Sequence, residues 1–122
     1  SPYQQLILSF LLDAARGENP SLSSVIENHL YSSATVNELA ILSGRSLSSF
    51  KREFSLQYNE PPRSWIRKKK LERAAYLLDT SDKTIEEIAE TSGFVSSPHF
   101  TRLFKEHYQF TPSEYRTKQT KS

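Results

Sequence analysis

The chain has 122 residues, 16 of them basic and 14 acidic, for a formal net charge of +2, and 36% are hydrophobic. That length holds one small domain, or two very small ones sharing an element. The absence of cysteine excludes disulfides, thiolate zinc sites and cysteine nucleophiles. No apolar run approaches the ~20 residues of a membrane span and no signal peptide is evident, so a cytoplasmic protein is expected.

The chain begins Ser-Pro-Tyr and contains no Met, which reads as a piece of something longer. Tyr3 to Arg16 is an amphipathic helix with Leu6, Ile7, Phe10, Leu11 and Ala14 on one side, closed by Gly17. Its polar face is not basic, which argues against a membrane-surface role. After the Asn19-Pro20 boundary, Ser21 caps a helix through Leu22, Val25, Ile26, His29 and Leu30 to Tyr31. Thr35 and Glu38 form a capping box for a helix ending at Ser43, stopped by Gly44. A further helix opens at Ser46 or Ser48 and runs to Tyr58, with Phe50, Phe54 and Tyr58 stacked along it and Asn59 as a left-handed terminator.

Pro62 starts the long central helix. Leu71, Ala74, Ala75 and Leu78 form one apolar seam, and Trp65 and Ile66 point elsewhere around the axis, so this helix touches two bodies. Arg67, Lys68, Lys69, Lys70 and Arg73 crowd the same turns. Thr84 and Glu87 form a second capping box, for a helix to Ser92 stopped by Gly93. Ser96 or Ser97 caps a helix to Tyr108, with Pro98 harmless in its first turn. Pro112 to Arg116 begins a short last helix, and Lys118 to Ser122 frays. No strand pattern appears.

The chain repeats itself. Val36, Glu38, Leu39, Ala40, Ser43 and Gly44 return as Ile85, Glu87, Ile88, Ala89, Ser92 and Gly93. Ser46, Phe50, Arg52, Phe54, Tyr58, Pro62 and Trp65 return as Ser96, Phe100, Arg102, Phe104, Tyr108, Pro112 and Tyr115, with one residue inserted after the second glycine. Each copy is a short capped helix, a glycine turn and a longer helix with aromatic anchors: the sequence form of a helix-turn-helix, whose second helix can enter the DNA major groove. Such hairpins also occur in plain helical bundles. The exposed faces favour DNA. Opposite Phe50 and Phe54 lies Arg52, flanked by Ser48 and Ser55 with Lys51 nearer the edge; opposite Phe100 and Phe104 lies Arg102, with Pro98, Lys105 and Thr101 around it. Arginine's fork matches guanine O6 and N7, and Ser or Thr reaches bases or phosphates. Residues 1–44 are net acidic and residues 45–122 net basic, a footprint for a polyanion.

These residues carry a resemblance. Ile85-Glu86-Glu87-Ile88-Ala89, Ser92-Gly93-Phe94, His99 to Lys105 and Thr111 to Arg116, with the first copy and Leu71 to Leu78, resemble the C-terminal DNA-binding region of the AraC/XylS family of bacterial transcription regulators. The likeness covers roughly Ser21 to Thr117. It implies an all-α fold of about seven helices: two helix-turn-helix subdomains joined by a shared linker helix, plus the N-terminal connector helix. The corresponding division is 1–20 connector from a missing upstream domain, 21–61 first subdomain, 62–79 linker helix, 80–117 second subdomain and 118–122 frayed tail. The implied recognition helices, Ser48–Tyr58 and Ser97–Tyr108, enter successive major-groove segments about 34 Å apart.

By position, the resemblance makes Ser48, Ser49, Lys51, Arg52, Ser97, His99, Thr101 and Arg102 base contacts. Lys68, Lys69, Arg73, Lys105 and Arg116 are expected on phosphates. The implied partners are double-stranded promoter DNA, RNA polymerase and an N-terminal sensing or dimerisation domain. Four positions depart from the family: Lys70 stands for Arg, Asn59 and Gln109 stand for Gly, and Ser96 stands for Asp. Gln109 is then either mildly strained or differently wound. The rival from another class is a protein-interaction module without direct DNA readout. An enzyme is not expected, nor a cofactor or metal: His29, His99 and His107 form no ligand-spaced cluster, and the carboxylates scatter over solvated faces.

Overall fold

The computed structural model describes residues 20–120, together with Gln4 and Leu8, which are helical and exposed. The helix expected over Tyr3–Arg16 otherwise lies outside the described residues. Among the described residues there are seven helices from Leu22 onward and no strand: α1 (Leu22–His29), α2 (Val36–Leu42), α3 (Leu47–Tyr58), α4 (Pro62–Thr80), α5 (Ile85–Thr91), α6 (Ser97–Tyr108) and α7 (Pro112–Thr120).

Side-chain caps set where these helices begin. Ser21 Oγ accepts from Ser24 N, Ser46 Oγ from Ser49 N and Ser96 Oγ from His99 N. Thr35 with Glu38, and Thr84 with Glu87, close reciprocal capping boxes. A third box joins Thr111 and Glu114 at the head of α7. Each cap is worth about 1 kcal/mol. Left-handed residues then end the elements: Gly44 at φ 72 and Gly93 at φ 94 follow α2 and α5, and Asn59 at φ 64 and Gln109 at φ 70 follow α3 and α6. Gln109 therefore adopts the left-handed conformation that glycine takes most readily, and its side-chain amide donates to Glu106 O at 3.0 Å.

The chain divides into two compact units, the first containing Ala34–Trp65 and the segment that ends at Leu30, the second containing Tyr31–Ser33 and the chain from Ile66 onward. Helix α4 is thus shared, its first residues in one unit and Ile66 to Thr80 in the other. In the first unit Leu22, Val25, Ile26, Leu39, Ala40, Leu42, Phe50 and Phe54 are buried. In the second, Leu71, Ala74, Ala75 and Leu78 of α4 form one core with Ile88, Ala89, Phe94, Phe100, Leu103 and Phe104. Burying each large side chain contributes about 1.5–3 kcal/mol, which is what holds such short helices in place. Ala40 and Ala89, both buried, leave the room that lets their helices pack closely.

The repeat extends to ring geometry. Phe54, Tyr58 and Trp65 form an aromatic cluster in the first unit, with Trp65 edge-on to Phe54 at 5.5 Å. Phe104, Tyr108 and Tyr115 repeat it in the second, with Tyr115 edge-on to Phe104 at 5.3 Å. Helix α7 continues to Thr120 rather than ending near Arg116. Its capping box, the Thr117 Oγ1–H bond to Ser113 O and the Lys118 ammonium over the Phe110 ring at 4.7 Å give the extra turn local support.

Candidate nucleic-acid interface

Helices α3 and α6 each turn an aromatic stripe inward, and that fixes what they show outward. Phe50 and Phe54, and likewise Phe100 and Phe104, are fully buried. With those side chains seated, the helical period leaves Arg52 and Arg102 on the far side, and both are exposed. Ser48 and Lys51 are exposed beside Arg52, while Ser49 is half-buried. On α6, Ser97, His99 and Thr101 are half-buried along the same helix. His99 and Arg102 touch: an Arg102 Nη2–H lies 3.0 Å from His99 Nδ1. A four-residue step from Arg52 reaches Leu56, which is 77% exposed. Spacing alone places Leu56, like Ser55, toward the outward side of α3.

The basic residues expected on phosphates have different fates. Lys105 is exposed at the outward edge of α6. Lys68 and Lys69 are half-buried on α4, where Lys69 pairs with Glu72 at 3.5 Å. Arg73 and Arg116 also have partners within the chain. The Arg73 guanidinium lies 4.7 Å from the centre of the Tyr31 ring, a cation–π contact, with its Nε buried. Arg116 donates from Nε to Leu78 O at 3.3 Å and from Nη2 to Ser81 O at 3.1 Å, tying α7 to the end of α4. These carbonyls are among those a helix leaves without intrahelical donors, which is why a cation suits the place.

Lys70 is also an internal tie. Its ammonium donates to Ser32 O at 2.8 Å and to Gly93 O at 2.9 Å, and burial lowers its pKa. It thereby holds the Tyr31–Ser33 segment against the turn after α5. In the first unit Arg45 has a comparable part, pairing with Glu53 through Nε and donating from Nη1 to Ser43 O at 2.9 Å and Pro20 O at 3.2 Å. Neither tie was visible as a motif, since each joins residues far apart in the chain. Among the described residues, no group of three or more His, Asp and Glu could hold a metal ion.

Comparison with known proteins gives this geometry a family. The helix-turn-helix domain family matches residues 28–118. The transcriptional regulator ExsA of Pseudomonas aeruginosa is 30% identical over 116 residues, 95% of this chain but 42% of ExsA. The xylose operon regulatory protein of Escherichia coli K12 is 33% identical over 91 residues, 75% of this chain and 23% of that protein. The chain thus spans less than half the length of either relative. Among solved structures, the C-terminal domain of the response regulator yesN from Fusobacterium nucleatum superposes with a TM-score of 0.73 at 30% identity, covering 78% of this chain and 93% of that one. The DNA-binding domain of AdpA, solved in complex with a target DNA, gives 0.72 at 28% identity, covering 79% and 89%. With two helix-turn-helix copies in its sequence and in its structure alike, the chain belongs to the AraC-type helix-turn-helix family of transcription regulators.

Proposed function

We propose that this chain is the sequence-specific double-stranded DNA-binding module of a bacterial transcription regulator. The observation that carries the reading is the duplicated arginine: Arg52 and Arg102 stand exposed at the same position of two recognition helices. The AdpA domain, with which the chain shares its fold at 28% identity, was solved on DNA. In this reading α3 and α6 lie in major-groove segments. Arg52 and Arg102 each fork onto a guanine, and Ser48, Ser49, Lys51, Ser97, His99 and Thr101 contact neighbouring bases. Lys68, Lys69 and Lys105 meet phosphates, with help from helix N-termini, and give salt-dependent affinity. The parent protein would add a sensing or dimerisation domain and engage RNA polymerase at a promoter. The relatives are transcriptional regulators, and no catalytic role is assigned to this chain.

The protein-interaction reading keeps one observation in its favour, the 77% exposed Leu56 on the outward side of α3. Gel retardation on duplex DNA across a salt series separates the two. The DNA module shows a log–log fall of affinity with salt, and Lys69→Ala flattens that slope while weakening all sequences alike. Binding that is absent, or indifferent to salt, supports the interaction module instead.

A further inference from the structure

The contact between Arg102 and His99 has a chemical direction. A guanidinium carries only donors, so the His99 Nδ1 that lies 3.0 Å from Arg102 Nη2 must be accepting. The imidazole is then neutral and its proton sits on Nε2. We propose that His99 is a positioning residue for Arg102, holding the guanidinium for base readout, and that the pair shows the groove donors alone. This rests on the DNA reading above and adds to it which bases the second recognition helix accepts.

The donors are the remaining Arg102 N–H groups and His99 Nε2–H. Guanine answers Arg102 with two acceptors, N7 and O6. The base beside it must offer His99 an acceptor too, as guanine or adenine N7 or thymine O4 does, whereas cytosine's amino group faces it donor to donor. On α3 the matching position holds no imidazole. Three residues before Arg52 stands Ser49, whose backbone N–H is held by the Ser46 cap. A short hydroxyl cannot steer a guanidinium as an imidazole nitrogen can. Sequence discrimination should therefore be sharper under α6 than under α3. Fixing a flexible arginine beforehand removes an ordering cost on binding worth about 2–10-fold in affinity for the matched base.

Two measurements test this. In the free protein, the nitrogen chemical shifts of the His99 ring should report a bare Nδ1 and a protonated Nε2, and Arg102→Ala should let the tautomers mix. On DNA, a bound sequence is first selected by the wild-type chain, and the guanine lost in Arg102→Ala is identified. His99→Ala should cut discrimination at that same guanine about 2–10-fold. His99→Asn, whose amide oxygen can take the place of Nδ1, should restore it while losing the preference at the neighbouring base. The proposal is overturned if His99→Ala leaves the Arg102 guanine untouched and alters only its neighbour, if Asn fails to restore it, or if Nδ1 carries the proton. A wild-type chain that selects no sequence overturns the DNA reading and this inference with it, while the ring shifts still judge the contact itself.

Discussion

Replacing Gly93 by alanine tests the least visible part of this fold. Gly93 sits at φ 94, and a Cβ added there would lie 2.7 Å from both the carbonyl carbon and the oxygen of Tyr31 and 2.8 Å from Ser32 O. All three are backbone atoms, so no side-chain rotation relieves the overlap. The Lys70 ammonium further pins the approach by bonding Ser32 O and Gly93 O together. A left-handed backbone costs an L residue about 1–2 kcal/mol, and overpacking adds about 1–3 kcal/mol. Gly93→Ala should therefore lose about 2–5 kcal/mol. Gly44, its partner in the repeat, has φ 72 and is exposed, so Gly44→Ala should lose only the backbone share, about 1–2 kcal/mol. Urea unfolding followed by circular dichroism measures both, and hydrogen exchange shows which unit is loosened. Equal losses for the two variants would refute the claim that the Tyr31–Ser33 segment is seated on Gly93.

Gln109→Gly should stabilise by about 0.5–1 kcal/mol, because φ 70 suits glycine; a loss in thermal unfolding would show that its side-chain bond to Glu106 O matters more. Ser43 and Ser92 are both fully buried, but Ser43 Oγ donates to Ala40 O at 2.8 Å whereas Ser92 Oγ has no hydrogen-bond partner. Ser43→Ala should cost about 1 kcal/mol and Ser92→Ala should be neutral or stabilising, and the reverse order in urea midpoints would contradict this. Burial lowers the His29 pKa below 6.5, so the unfolded chain takes up that proton first as pH falls, and stability should decline once pH drops below about 6.5. Backbone and side-chain hydrogen bonds from Thr84 and Thr111 likewise lower Glu87 and Glu114 from 4.5, so a further loss should follow as pH falls through their folded values. Stability that stays flat from pH 7 to 3 in chemical denaturation would rule out both effects.

What the sequence disclosed was local or periodic. Capping boxes span three residues, the aromatic stripes of α3 and α6 recur every four, and the duplication compares like with like. Trp65 and Ile66 read together as a sector apart from the Leu71 seam, but the division of α4 falls between them, with Trp65 in the first unit and Ile66 in the second. What stayed hidden depends on distant partners. Nothing near Lys70 in the chain points to Ser32 or Gly93, nor anything near Arg116 to Leu78 and Ser81. Charged residues in a basic run look alike until the fold shows which reach carbonyl oxygens and which reach solvent. The His99–Arg102 contact differs, because its three-residue spacing on one helix face was there to be read.

Selection of bound duplexes from a random pool, run in parallel with the wild-type chain, Arg52→Ala and Arg102→Ala, tests the central claim most directly. The account predicts two separated sets of preferred bases, one vanishing with each arginine at a cost of roughly 1–3 kcal/mol. Identical preferences from all three proteins, or none from any, would contradict it.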